Sequence, residues 1–173
     1  KELLGELGDQ PQKPSPIVFL PYLSGERTPH NDPTIRGAFY GISHDTARRD
    51  LTQAVLEGVA FAFRDCLAAL TEAGTKIVKA DAIGGGSQSR FWLGVLANVL
   101  NLPLSRLEGG EAGGSLGAAR LGHMAATGES PSAVCKPPKR VETIEPARSL
   151  VEQYEPIYRR YRSLYPSLKE ALT

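Results

Sequence analysis

The chain has few sulfur-containing residues, with two cysteines and one methionine among its 173 residues. Cys66 and Cys135 are too few to build a disulfide framework, and neither lies in a Cys-x-x-Cys or histidine-rich setting. The sequence therefore predicts no metal site of its own, and its cysteine usage is typical of the reducing cytoplasm. The only methionine is Met124 and the chain begins with Lys1, which predicts a piece cut from a longer protein.

Excess charge and long apolar runs are lacking as well. Twenty basic and 19 acidic residues leave a net charge of +1, so no overall field favours nucleic acid. The apolar runs at 17–20 and 58–63 are too short to span a bilayer, and no signal peptide is visible. With 41% hydrophobic residues, the chain can form one globular domain or two small lobes.

Strand-like and helix-like segments alternate along most of the chain, which predicts an α/β layered domain. Apolar runs predict strands at 17–20, 37–42, 77–83 and 103–107. Helical periodicity predicts helices from a cap at Ser43 or Asp45 to Gly74, and at 90–100, 115–126 and 146–164. Residues 1–7 resemble a polar helix, and residues 131–145 are predicted to be irregular because they are rich in proline.

A three-glycine turn stands between a predicted strand and a predicted helix, in the order Gly84-Gly85-Gly86-Ser87-Gln88-Ser89-Arg90. Glycine permits close approach of a ligand to the backbone, and a helix that starts after such a turn presents free N–H groups and a positive dipole end. The turn is therefore either a nucleotide or phosphate cradle or a tight connection without a ligand. Its pattern also approximates the dinucleotide fingerprint, with Glu108 as a ribose-binding acid.

Two other features are candidate interaction sites. The long polar loop at 21–33 cannot form regular structure, and a loop of this length in a compact domain is often functional. The tyrosines of the last predicted helix, Tyr154, Tyr158, Tyr161 and Tyr165, follow helical spacing. Such a stripe is typical of a docking face, so a non-catalytic interaction module is an alternative to nucleotide binding.

Several motifs in this order resemble the FGGY family of carbohydrate kinases. Residues 37–42 and 50–57 resemble the C-terminal signature of that family, and Gly84-Gly85-Gly86-Ser87 is similar to its adenosine motif. Residues 115–121 resemble the small-residue helix that follows. The loop at 20–30 resembles the xylulose kinases within the family. The similarity spans about residues 17–122.

The resemblance implies the C-terminal lobe of a two-lobed kinase of the actin/hexokinase/Hsp70 type, with a ribonuclease H-like mixed sheet packed with helices. Residues 1–16 would be a helix and linker, and residues 17–173 the nucleotide-binding lobe. The N-terminal lobe, which holds most of the sugar site and the catalytic aspartate, would lie outside this chain. The implied reaction transfers a phosphoryl group from ATP, with Mg²⁺, to D-xylulose. No catalytic residue is expected here, and a homodimer is an allowed assembly.

The family motif implies particular site residues in this sequence. Gly85 and Gly86 would lie against the adenosine, with Gly84 and Ser87 in the same ATP-binding turn. Ser89 and Arg90 occupy positions where relatives often place an asparagine near the adenine, so Arg90 would either stack on the base or form a surface ion pair. In the long loop, Glu26, Arg27, Thr28 and His30 would lie near the cleft between the lobes.

Overall fold

A computed structural model describes residues 2–11 and 13–172. Lys1, Gln12 and Thr173, which belong to the predicted N-terminal helix, linker and lobe, lie outside the described residues. The helices are α1 (Glu2–Gly5), α2 (Arg48–Glu72), α3 (Arg90–Leu100), α4 (Gly113–Thr127), α5 (Pro131–Val134) and α6 (Arg148–Leu172). The strands are β1 (Val18–Leu20), β2 (Ala38–Tyr40), β3 (Ala80–Ala82), β4 (Leu104–Leu107) and β5 (Arg140–Ile144). Single 3₁₀ turns follow β3 at Gly85–Gln88 and β4 at Gly110–Ala112.

The strands form two small sheets. β1 and β2 pair antiparallel, with Phe19 opposite Phe39. β4 is the centre of a three-stranded sheet, with β3 parallel on one side and β5 antiparallel on the other. Because α3 carries the chain from β3 to its parallel neighbour β4, the carboxyl ends of both strands lie at one edge of the sheet. The predicted α/β architecture with a mixed sheet is confirmed.

The core lies where α2 meets β1, α3 and α6. The closest approach is at Gly58, where a Cβ atom would lie 2.2 Å from the carbonyl oxygen of Phe19. The missing side chain at Gly58 therefore allows β1 to pack directly on α2, and Ala54, one turn earlier in the helix, is buried against Ile17 and Phe19. Leu7, from the segment before β1, is buried in the same core.

The tyrosine stripe of α6 packs inside this chain instead of facing a partner. Tyr154 and Tyr161 are buried at 0% and 1% exposure, and both rings contact Phe61 of α2. The hydroxyl of Tyr154 donates to Glu57, and that of Tyr158 donates to Asp65 at 2.5 Å. The stripe is therefore a packing face within this chain, since its first three tyrosines lie against α2 and Tyr165 stacks on His30 of the long loop.

Several predicted boundaries were wrong. Helix α2 begins at Arg48, after Ala47, instead of near Ser43 or Asp45, and the Asp50 carboxylate accepts the Ala47 N–H at 3.0 Å. Helix α6 continues through Pro166 to Leu172. The predicted strand at 77–83 is reduced to β3, since only its last part pairs with β4.

The segment at 131–145 is not irregular throughout, because it contains α5 and β5. β5 is stabilised by its pairing with β4, including a 2.9 Å hydroxyl contact between Ser105 and Thr143. Helix α4, although rich in small residues, has no buried residue. No helix in the described ranges combines the length and the apolar character that crossing a membrane requires.

Candidate nucleotide-binding site

The glycine turn begins directly after β3. Gly84 has φ +83°, a conformation that glycine adopts without the penalty of a Cβ atom. Its carbonyl oxygen accepts both the backbone N–H of Ser87 at 3.0 Å and the Ser87 hydroxyl at 2.7 Å. Ser87 is 2% exposed. Its hydroxyl therefore holds the turn in shape and is already engaged within the protein.

The turn leads into α3 through Ser89, which is the N-cap of that helix. The Ser89 hydroxyl accepts the N–H of Trp92 at 3.2 Å, as expected of a serine at this position. The start of a helix carries partial positive charge from its aligned peptide dipoles. An anionic ligand above the turn would meet this positive end of α3.

A second glycine-rich turn, after β4, lies beside the first. The N–H of Gly84 donates to the carbonyl oxygen of Gly110 at 2.8 Å, and the Gln88 amide donates to Glu111 at 3.2 Å. Gly113 has φ +48°, and a Cβ atom there would lie 3.8 Å from Gly84. The two turns thus form one surface at the carboxyl ends of parallel strands, where α/β proteins commonly bind ligands.

A groove of about 490 Å³ opens between the glycine turn and the N-terminal segment. Its lining residues are Leu4, Gly5, Gly8, Asp9, Gly85, Gln88, Ser89, Arg90 and Phe91. A Cβ atom at Gly86 would meet the Trp92 ring at 3.2 Å, whereas one at Gly85 would meet nothing within 4 Å. Packing thus explains the glycine at position 86, while Gly85 leaves its backbone open to the groove.

Arg90 stands at the edge of this groove and forms an ion pair. One of its terminal nitrogens, Nη2, lies 2.7 Å from Glu142 Oε1 on β5. Glu142 also lies 3.6 Å from Arg106 Nε on β4. The sequence suggested an ion pair as one option for Arg90 but could not identify the partner, because Glu142 is 52 residues further along the chain.

The cleft-loop candidates lie on a different surface, which shares no lining residue with the groove. Glu26 accepts the backbone N–H of His30 at 2.7 Å, and the His30 ring stacks on Tyr165 with ring centres 3.6 Å apart. The carbonyl oxygen of Thr28 lies 3.8 Å from Cys66 Sγ. Arg27 lines a cavity of about 400 Å³ between the loop and α2.

Asp32 holds this loop together, a role that sequence reasoning missed. Its Oδ1 accepts the hydroxyl and N–H of Thr34 at 2.7 and 2.9 Å, and its Oδ2 accepts the Tyr165 hydroxyl at 3.0 Å. The hydrogen bonds from Thr34, followed by that from Tyr165, hold the pKa of Asp32 well below its ordinary value. An Asp two residues before Thr34 is a turn signal, but the contact with Tyr165 depends on tertiary structure.

Within residues 2–11 and 13–172, no group of three or more His, Cys, Asp or Glu side chains is arranged to hold a metal ion. Among the described residues that line the groove, Asp9 alone carries a carboxylate. These residues do not make a magnesium site by themselves, since Mg²⁺ needs near-octahedral oxygen coordination.

The chain belongs to the FGGY family of carbohydrate kinases, because residues 2–126 match the model of that family's C-terminal domain. It is 39% identical to the xylulose kinase of Escherichia coli K12 over 154 residues, which is 88% of this chain and 32% of that protein. The dinucleotide-binding alternative based on Glu108 finds no support in these matches.

Solved structures agree with the family assignment. A xyloylose kinase from Brucella ovis has a TM-score of 0.87 and 52% identity, and the match covers 98% of this chain and 35% of that one. A xylulose kinase from Rhodospirillum rubrum has a TM-score of 0.77 and 32% identity, with 99% and 34% covered. The lobe therefore has the sugar-kinase fold, of the actin/hexokinase type. The chain spans about a third of the length of these relatives.

Proposed function

We propose that this chain is the nucleotide-binding lobe of a carbohydrate kinase that transfers the γ-phosphoryl group of ATP to D-xylulose, giving ADP and D-xylulose 5-phosphate. The observation that carries the proposal is the groove beside the paired glycine turns. Gly85 lines this groove, and a side chain at position 85 would meet no other atom within 4 Å, so packing does not explain the glycine. Similarity to the xylulose kinases of Escherichia coli and Klebsiella pneumoniae supports xylulose as the sugar.

Each element of the site has a role in this proposal. Gly85 lets the nucleoside approach the backbone, while Gly84, Gly86 and Ser87 maintain the shape of the ATP-binding turn. Ser89 and Arg90 border the base. The positive end of α3 favours the anionic part of the ligand.

The chemical step would depend on residues outside this chain. An aspartate of the N-terminal lobe would take the proton from the sugar hydroxyl, and Mg²⁺ bound with the nucleotide phosphates would neutralise charge. This chain would supply binding and orientation, from which phosphoryl transfer gains much of its rate. Residues 17–173 would form the lobe after the linker at 1–16. The loop with Glu26, Arg27, Thr28 and His30 would face the cleft between the lobes. We assign the protein to the cytoplasm, with a homodimer as an allowed assembly.

Substitution at Gly85 tests the site without disturbing the fold. An added methyl group at Gly85 or at Gly117 in α4 meets no atom within 4 Å, so G85A and G117A form a matched pair. We expect ADP with Mg²⁺ to shift the amide NMR signals of residues 84–90, and G85A to weaken binding about tenfold, equivalent to about 1.4 kcal/mol. G117A should bind normally.

Three results would contradict the proposal. Equal ADP affinity in G85A and the unmodified chain would remove Gly85 from the site. Binding of NAD with shifts at Glu108 would favour a dinucleotide-binding domain. If no nucleotide bound at all, the claim that this chain binds nucleotide without the N-terminal lobe would be refuted.

A further inference from the structure

The two walls of the groove are built differently. The glycine turn and the start of α3 form one wall, and residues 4–9, the N-terminal wall, form the other. Residues 5–10 also border a cavity of about 560 Å³ beside Arg49. Gln10 and Pro11, which follow, border a third cavity of about 330 Å³. Because open space lies beside much of the N-terminal wall, its position depends on a few contacts.

Some of these contacts come from the wall itself and from the residue just after it. Leu7 is buried in the core. Glu6 forms an exposed ion pair with Arg48, and such pairs contribute little to stability. Pro11 packs on α3 at Gly94, where a Cβ atom would lie 2.8 Å from Pro11 Cδ. A further restraint comes from the linker that continues the chain.

Glu57 of α2 fixes this linker. Its two carboxylate oxygens both accept the N–H of Ser15, at 3.0 and 3.1 Å. Proline has no N–H group, so Ser15, which stands between Pro14 and Pro16, supplies the backbone donor of these three residues. The carboxylate of Glu57 therefore holds the linker at the position where the linker can donate.

Gln53, one turn before Glu57, adds a second attachment. Its side-chain amide donates to the carbonyl oxygen of Lys13 at 2.6 Å and to Glu57 at 2.7 Å. The hydroxyl of Ser15 donates to the carbonyl oxygen of Asp50, also in α2, at 3.1 Å. The linker is thus bound to α2 at residues 13–15, and residues 10–12 alone separate it from the N-terminal wall.

A glutamate is an unfavourable choice for this position if stability is its only role. Glu57 is 1% exposed, and burial raises the pKa of its carboxyl group to about 7. An apolar side chain of similar volume often stabilises a core at least as well as a buried charged group. Core packing therefore does not explain Glu57, whereas the attachment of the linker does.

We propose that Glu57 is a positioning residue for nucleotide binding, which fixes the linker to α2 and thereby holds the N-terminal wall of the groove in place. This inference rests on the proposed function, because the wall that Glu57 holds lines the same groove as Gly85. A wall that is already fixed loses less conformational freedom when a ligand binds, and this raises the affinity.

The test compares two variants that change the linker contacts with one that does not. E57Q replaces one acceptor oxygen by an amide nitrogen that cannot accept the N–H of Ser15, and Q53L removes the donor to Lys13. The control is Y154F, which removes a hydroxyl that donates to the same Glu57 carboxylate from α6 at 3.0 Å. Y154F leaves the bonds to the linker in place.

Two measurements on the 173-residue chain follow the wall and the site separately. Amide hydrogen exchange without ligand reports on the N–H groups of Leu7 and Gly8, which donate to the carbonyl oxygens of Leu4 and Gly5. Calorimetric titration with ADP and Mg²⁺ reports on affinity. We expect E57Q and Q53L each to speed that exchange and weaken ADP binding about fivefold, the factor that corresponds to one net hydrogen bond. Y154F should change neither, although it lowers the free energy of unfolding.

The outcomes distinguish this inference from the proposed function. Equal changes in Y154F and E57Q would mean that Glu57 acts through core stability alone, and would overturn the inference. Unchanged exchange in E57Q, or faster exchange with unchanged ADP affinity, would overturn it as well. Faster exchange in E57Q and Q53L, with no nucleotide bound by any form of the chain, would refute the proposed function while supporting the attachment of the wall through Glu57.

Discussion

Glu57 should make this protein less stable as the pH rises from about 5 to 8. The side chain is 1% exposed in the core between α2 and α6. Its carboxylate accepts the Ser15 N–H at 3.0 and 3.1 Å, the Gln53 amide at 2.7 Å and the Tyr154 hydroxyl at 3.0 Å. Burial raises its pKa from 4.5 to about 7, and the hydrogen bonds only partly oppose this.

The sign and size follow from proton linkage. Between pH 4.5 and about 7, the folded state keeps the proton on Glu57 whereas the unfolded state loses it, so the free energy of unfolding falls as the pH rises. A pKa difference of this size corresponds to about 3 kcal/mol, lost progressively through that window. The loss is complete above the folded-state pKa.

Urea denaturation at a series of pH values measures this effect. The unmodified chain should lose about 3 kcal/mol between pH 5 and 8 relative to E57Q, whose amide cannot ionise. Asp65, whose pKa is also raised by burial, contributes equally to both proteins and cancels in the comparison. E152Q, at a side chain 65% exposed, should behave like the unmodified chain. Parallel pH profiles of the unmodified chain and E57Q would refute the assignment.

Three further predictions concern packing, the loop and activity. G58A should lower the free energy of unfolding by about 3 kcal/mol in urea denaturation, because its methyl group would lie 2.2 Å from a β1 carbonyl oxygen. G117A, with open space around the added methyl group, should raise it by up to about 1 kcal/mol. Equal effects of the two variants would contradict this reasoning. Y165F should lower the free energy of unfolding by about 1–2 kcal/mol, because the hydrogen bond to Asp32 is lost. Y40F, at an exposed ring, should leave it unchanged. If Y165F were as stable as the unmodified chain, that hydrogen bond would not support the loop. The purified chain should not phosphorylate D-xylulose with MgATP in a coupled ADP-release assay, and any sugar-dependent turnover would place the catalytic group within it.

Local features of the sequence were sufficient to predict most elements of the fold. The helical periodicity of α2 and α3 and the apolar run at β1 depend on short-range chemistry, so a single sequence reveals them. The same is true of the glycine turn, because a strand, a run of glycines and the serine cap of α3 follow one another directly. Helix α6 continues past its predicted end at residue 164, because a helix tolerates Pro156 and Pro166 where packing holds it in place.

β5 was missed for a different reason. Its five residues, Arg140–Ile144, follow a proline-rich stretch, and they become a strand only through pairing with β4. Strand propensity depends strongly on such context. The partner of Arg90 was undetermined for the same reason, since Glu142 lies on that strand.

The sequence by itself determined the family, the order of the motifs and the position of the glycine turn, because these depend on residue identity and on spacing within a few turns of chain. Only the tertiary structure decided that Asp9 and Arg90 line one groove, that Asp32 anchors the loop to Tyr165, and that the tyrosine stripe packs on α2 and that loop. Those contacts join residues far apart in the chain. Their geometry and burial exist only once the core brings the elements together.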